Sequence, residues 1–127
     1  METPHKQEST RKKGSRYEDL AEAYLSEKGY RILERNIHSR YGEIDIVAED
    51  GSVIVFVEVR MRSRNDYGSP AESITPSKMR KILREAEMYL VENSLLDRDA
   101  RLDVISILDR GQGTPEITHL TNVSEER

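Results

Sequence analysis

Apolar and polar positions alternate along this chain with two different periods. Tyr17, Leu20, Ala21, Tyr24 and Leu25 recur at helical spacing, with Ser15 placed as an N-cap and Gly29 as a C-cap, which predicts a first helix. Tyr30 to about Ile37 reads as a strand, followed by two strongly apolar, β-branched segments at about 43–49 and 52–61. Asp50-Gly51 between them is a hairpin signal, because a two-residue turn needs positive φ at both central positions. Thr75-Pro76 marks a second helix start, since threonine caps and proline suits the first helical position. From there Met79, Ile82, Leu83, Ala86, Tyr89 and Leu90 form one apolar stripe running to about Asn93. Leu102 to Leu108 reads as a further strand and Glu116 to about Asn122 as a weaker one. The expected order is α-β-β-β-α-β-β, with residues 62–74 a polar connection long enough to be functional.

The hairpin is apolar on both faces. One carries Ile44, Ile46, Ala48, Val53, Val55, Val57 and Val59, while Val47, Ile54 and Phe56 lie on the other beside charges. That pattern belongs to a central sheet covered by helices on two sides, an α/β domain. The charges are the anomaly: Gly42-Glu43-Ile44-Asp45 and Phe56-Val57-Glu58-Val59-Arg60 bring acids into apolar strands. If Asp50 and Gly51 form the loop, Asp45 pairs with Phe56 and Glu43 with Glu58, and Glu43, Asp45, Phe56, Glu58 and Arg60 share a face. Asp45 and Glu58 are then diagonal neighbours roughly 7–8 Å apart at their β-carbons, a span that two carboxylates close around one ion. An unpaired buried carboxylate costs several kcal/mol or more, so a cation is expected beside them. A metal ion is the first reading and an ion-pair network with Arg60 the other.

Composition narrows the choice. With 127 residues, 35% of them hydrophobic, the chain supports one domain with a core, and it is expected to divide into a disordered basic arm at 1–13, a folded domain at 14–122 and a tail at 123–127. It has no cysteine, which excludes disulfides, thiolate metal sites and cysteine nucleophiles, so a metal must be held by oxygen or histidine. No apolar run approaches a membrane span, and Met1-Glu2-Thr3-Pro4-His5 has no signal-peptide core; a soluble, cytoplasmic protein without a membrane partner is expected. The net charge of −4 is unevenly spread. Residues 60–84 hold seven basic and two acidic side chains, a net +5, against −6 for residues 85–127. A local basic surface of this kind suits phosphate contact, because screening confines each charge to about 10 Å at moderate salt; an ordinary solvated face fits it equally. His5, His38 and His119 show no ligand spacing and are expected at the surface, while Tyr41 and Tyr67 flank the acids and can either stack on an exposed base or pack.

Glu18 on the first helix, Gly-Glu-Ile-Asp, Phe-Val-Glu-Val-Arg, Ala71-Glu72-Ser73-Ile74-Thr75-Pro76-Ser77-Lys78 and Arg101-Leu102-Asp103-Val104 follow one another in an order that closely resembles the bacterial YraN family of predicted endonucleases, from about Gly14 to about Thr121. That family is similar to archaeal Holliday-junction resolvases and to the restriction-endonuclease-like folds with a PD-(D/E)xK site. The resemblance implies a three-layer domain with a mixed sheet of about five strands, and Mg²⁺- or Mn²⁺-dependent hydrolysis of DNA, including branched DNA, for which a symmetric homodimer would be apt.

Carried over residue by residue, the resemblance makes Asp45 and Glu58 the paired carboxylates, holding the metal with the backbone carbonyl of Val59. Glu18 becomes a helix-borne acid acting through water, although Ser15-Arg16-Tyr17-Glu18 also reads as a capping box. Arg60 stands where the motif usually has lysine; a guanidinium stabilises developing phosphorane charge but takes no proton from water. Lys78 can supply an ammonium from the second helix or stand in solvent. Glu43 is a secondary ligand or a partner of Arg60; Arg62, Arg64, Lys78, Arg80 and Lys81 are the expected phosphate contacts; and Asp103 is expected to hydrogen-bond within the fold. The competing functional class is a nucleic-acid-binding module with a degenerate nuclease site.

Overall fold

The computed structural model describes residues 5–62 and 74–123, with side chains from residue 16 onward. Two helices, α1 (His5–Glu27) and α2 (Pro76–Glu92), flank strands β1 (Arg31–Ser39), β2 (Gly42–Asp50), β3 (Val53–Arg62), β4 (Ala100–Leu108) and β5 (Glu116–Leu120). The strands form one sheet in chain order. All neighbours are antiparallel except β3 and β4, which are parallel and separated by the α2 crossover. This is the expected three-layer α/β architecture with a mixed sheet.

Each helix covers one face. Ala21 and Leu25 of α1 pack with Ile46, Ala48, Val55, Val57, Ile105 and Ile107. Ile82, Ala86 and Tyr89 of α2 pack with Val47, Ile54, Phe56, Leu102 and Val104 on the opposite face. Phe56 and Tyr89 meet edge to face at 5.8 Å, the arrangement that ring quadrupoles favour. The second helix starts as expected, with the Thr75 hydroxyl accepting from the Lys78 N–H at 3.1 Å and Pro76 following it. Gly29 ends α1 at φ 95°, and the Tyr30 N–H donates back to the Leu25 carbonyl.

Three expectations are corrected. The first helix begins at His5 rather than beside Ser15, so it runs through most of the residues read as an arm, of which 1–4 lie outside the described residues. Ser15 is therefore not a helix cap, and the capping-box reading of Glu18 lapses. The β2–β3 loop is Gly51-Ser52, because Asp50 pairs with Val53, and the register is shifted by two residues from the expected one. An even shift preserves the faces. The third correction concerns alternation itself. Asn36 in β1 has φ 56°, a left-handed conformation that asparagine tolerates better than most residues. On one side of it Arg35 pairs with Ile46, and both face α1; on the other Ile37 pairs with Ile44, and both pack with the α2 core. The ribbon thus exchanges faces at Asn36 and at Asp45 opposite it, which moves Ile44 to the layer opposite the expected one and undoes the face that Asp45 was expected to share with Glu58 and Arg60: Asp45 lines a cleft with Tyr17 and Glu18 of α1, whereas Glu58 meets Lys78 of α2.

The β1–β2 turn, Arg40-Tyr41, is docked on α2. Ser39 Oγ accepts from the Tyr41 N–H at 3.0 Å and donates to Glu85, a carboxylate only 5% exposed. A Cβ on Gly42 would lie 2.9 Å from the Lys81 carbonyl oxygen. Backbone cannot yield there as a side chain would, so Gly42→Ala should cost about 1–3 kcal/mol, read as a lower urea midpoint at unchanged slope.

Candidate active site at the parting of two strands

The β2–β3 ladder runs from the loop to Ile46↔Val57, so Asp45 and Glu58 sit one step beyond its last pair. There the Val59 N–H donates to Asp45 Oδ2 at 2.8 Å, a bond that a regular ladder would give to a carbonyl. Glu58 is 5% exposed, and its Oε2 receives Lys78 Nζ at 3.0 Å and Arg60 Nη1 at 3.3 Å. Helix α2, anchored at Thr75, thus delivers an ammonium from a neighbouring element onto the β3 carboxylate. Glu18 lies on the other flank, where it lines a cleft of about 100 Å³ with Tyr17, Asp45, Val59 and Met61. Its Oε1 is held by Asn36 Nδ2 at 3.0 Å and Arg35 Nη2 at 3.3 Å. The residue whose φ flips the ribbon therefore also fixes the helix-borne acid.

Asp45 stands among acids. Burial first, then the charges of Glu58, Glu18 and Glu43, push its carboxyl up to about 7, against the pull of the Val59 N–H. No cation forms an ion pair with it among the described residues. The sign for stability follows: between about pH 4 and about 7 the folded state holds a proton here that the unfolded chain has released, so stability falls as pH rises through that window. Melting temperatures in EDTA should accordingly decline from pH 5 to pH 8 for wild type, and decline less for Asp45→Asn.

A second unmet group lies alongside. Ser106 on β4 pairs with Arg60 and shares its face with Leu102 and Val104; its hydroxyl is buried and finds no hydrogen-bond partner among the described residues. Sequence reasoning missed it, since a serine in an apolar strand carries no signal until the register puts it beside Arg60. The donor set suits a hard cation: two carboxylates and a backbone carbonyl at Val59, all oxygen. Among the described residues no group of three His, Asp or Glu side chains is placed to hold a metal ion, so an ion at Asp45 and Glu58 would depend on water or phosphate to complete its shell.

The remaining expected residues divide. Glu43 is exposed and pairs with His38, and Arg60 turns to Glu58 instead of to it. Arg80 and Lys81 are exposed on α2, Arg62 is half-buried at the end of β3, and Arg64 and Tyr67 lie outside the described residues. His119 is not a surface residue: its side chain is 6% exposed, and its Nε2 lies 2.8 Å from Asp103 Oδ2. Asp103, fully buried, also accepts from Arg101 Nε and from the Asn122 N–H, each at 3.0 Å, and so has the expected structural role, away from the acid pair. Among the described residues no helix is long and apolar enough to cross a membrane.

The profile of a family described as "Uncharacterised protein family UPF0102" matches residues 17–107. A UPF0102 protein of Geobacter sulfurreducens is 47% identical over 112 residues, covering 88% of either chain. One from Persephonella marina is 47% identical over 110 residues, covering 87% of this chain and 90% of the relative. One from Geobacter metallireducens reaches 49% over 112 residues, with 88% and 91% covered. The matched region contains β1 to β3, all but the last residue of β4, both acids and Lys78.

Proposed function

The chain belongs to the UPF0102 (YraN) family, and from that footing we propose that it is a metal-dependent endonuclease hydrolysing phosphodiester bonds in DNA. The observation that carries this reading is Asp45: a desolvated carboxylate set between Glu18 and Glu58, bonded to one N–H and faced by charges of its own sign. Such a group is stable at neutral pH only when protonated or beside a cation. Asp45, Glu58 and the Val59 carbonyl would hold Mg²⁺ or Mn²⁺, which would supply Lewis-acid polarisation of a phosphoryl oxygen and a water of lowered pKa.

The chain's own residues account for the rest. Lys78, on Glu58 at 3.0 Å, would supply from α2 the positive charge that the motif takes from its lysine, while β3 carries Arg60 at that position. Arg60 balances Glu58 from the same strand, Nη1 to Oε2 at 3.3 Å. Arg62, Arg80 and Lys81, with Arg64, would contact flanking phosphates. Lys78→Ala should therefore lower the cleavage rate by about 10²-fold or more, in the range of lost electrostatic clamps. Arg60→Lys should keep most of it, and rates on a saturating substrate compare the two.

The test is a calorimetric titration of the full chain with Mg²⁺, followed by a cleavage panel of linear, flapped and four-way DNA. Ion uptake and cutting support the enzyme. The guanidinium of Arg60 in the lysine position favours one other reading, a binding module with a degenerate site. That module would bind DNA with a steep salt dependence and no need for metal.

A further inference from the structure

Resting on the nuclease reading, we propose that the β1–β2 turn is a stacking platform for an unpaired DNA base, so that the substrate is DNA with single-stranded character close to the cut. Tyr41 is partly exposed at the tip of the turn, with the Arg40 guanidinium 5.2 Å and the Arg84 guanidinium 5.9 Å from its ring centroid. Arg40 Nη2 also donates to the Tyr41 hydroxyl at 3.2 Å. Neither arginine forms an ion pair among the described residues. The cluster offers π faces and guanidinium planes, which take a base by its flat side, where base-paired DNA presents only edges in its grooves.

The turn is built to stay where it is. Ser39 ties the Tyr41 N–H to Glu85, a buried carboxylate of α2, which anchors the turn to the helix. Gly42 permits backbone contact with Lys81 that any side chain would prevent. A partly exposed aromatic on so fixed a support loses little freedom when a base lands on it. Its position relative to the acids also fits. Lys78, which touches Glu58, and Arg84, which lies over Tyr41, are six residues apart on α2, a rise of ~9 Å at 1.5 Å per residue. Stacked DNA advances ~3.4 Å per nucleotide on a strand, so the platform meets a base only a few nucleotides from the phosphate at the acid pair. Exposed Lys81 lies between them for the intervening backbone.

Fluorescence anisotropy in EDTA, where no cleavage occurs, separates this from the metal chemistry. Labelled single-stranded oligothymidylate and a blunt duplex of equal length are titrated with wild type, Tyr41→Leu and Tyr41→Phe. Tyr41→Leu should weaken single-strand binding about tenfold, as loss of one stacked base does, with duplex binding unchanged and Tyr41→Phe close to wild type. Equal weakening on both DNAs, or none on either, overturns the platform. Circular dichroism melts confirm that both variants fold, and Arg84→Gln, which leaves the turn's anchors in place, gives an independent reading of the same preference. In Mg²⁺, equal cutting of blunt and flapped DNA that Tyr41→Leu does not change overturns the platform and leaves the nuclease. Tyr41-dependent single-strand preference without any cutting supports the platform and removes the nuclease.

Discussion

Asp45→Asn should abolish divalent-ion uptake and lower DNA cleavage by about 10³-fold or more, while DNA affinity in EDTA stays the same or rises. The amide is isosteric and can still accept the Val59 N–H, so the strand junction should hold. What disappears is the negative charge, and with it the reason for a cation to settle between Glu18 and Glu58. Loss of a metal's electrostatic stabilisation at a phosphoryl centre removes several kcal/mol of transition-state binding, and each ~1.4 kcal/mol is tenfold in rate. Removing a carboxylate from a like-charged set also relieves repulsion, so the variant should melt at or above the wild-type temperature at pH 8. Glu58→Gln should behave differently, because Lys78 and Arg60 both lose their carboxylate there. Calorimetry with Mg²⁺, a cleavage time course and a melt on the same preparations check all three statements. A variant that still takes up ion and cuts would refute the assignment.

Asp103→Ala should be the most destabilising single change away from the acid pair. Four donors converge on this fully buried carboxylate: Arg101 at 3.0 Å, His119 at 2.8 Å, the Asn122 N–H at 3.0 Å and a second, longer contact from Arg101 at 3.4 Å. Arg101 continues to the Tyr30 hydroxyl at 2.7 Å, and Tyr24 reaches His119 Nδ1 at 3.3 Å, so α1, β4 and β5 are joined through one acid. Removing one partner of a buried charged set costs about 3–5 kcal/mol, here a fall of roughly 10–20 °C in melting temperature. The carboxyl is held below its ordinary value by His119, Arg101 and the Asn122 N–H, which outweigh its burial. The folded chain thus binds its proton less readily than the unfolded one. The stabilisation is complete above the unfolded carboxylate value near pH 4 and drains away as pH falls through the lower folded one. Urea midpoints between pH 7 and pH 3 should therefore converge for wild type and Asp103→Asn as acid is added.

Much of this was legible in the order of residues, and the exceptions have physical causes. The start of α2 needed only Thr75 and Pro76, whose capping chemistry is local. From Ile46 to Val57 both faces of the β2–β3 pair could be read from alternation, and an error of two in the register did no harm there because the side-chain period is also two; beyond that pair alternation fails, and Asp45 lies on the α1 side while Glu58 meets α2. Ile44 was misplaced because alternation assumes extended backbone throughout, and the left-handed Asn36 on the partner strand breaks that assumption without any mark in the apolar pattern. The early start of α1 escaped because Lys, Arg, Gln and Glu between residues 5 and 13 have good helix propensity but show no apolar stripe. His119 looked like a surface histidine because its partner, Asp103, lies 16 residues away and meets it only through the β4–β5 pairing. Asp45, Glu58 and Lys78 could be singled out from chain order, but the Lys78–Glu58 contact needed the helix to be placed over the sheet.

That contact also dates the assembly of the site. Asp45 and Glu58 are close neighbours along the chain, joined by a tight hairpin of the kind that closes within microseconds. Lys78 reaches Glu58 only when the crossover has been laid down and β4 has found its parallel partner, the slow, long-range step in a sheet of this kind. The nascent ribbon consequently carries Glu58 with Arg60 as its one cation and Asp45 with none, and the lysine joins Glu58 only when the second half of the domain closes upon it.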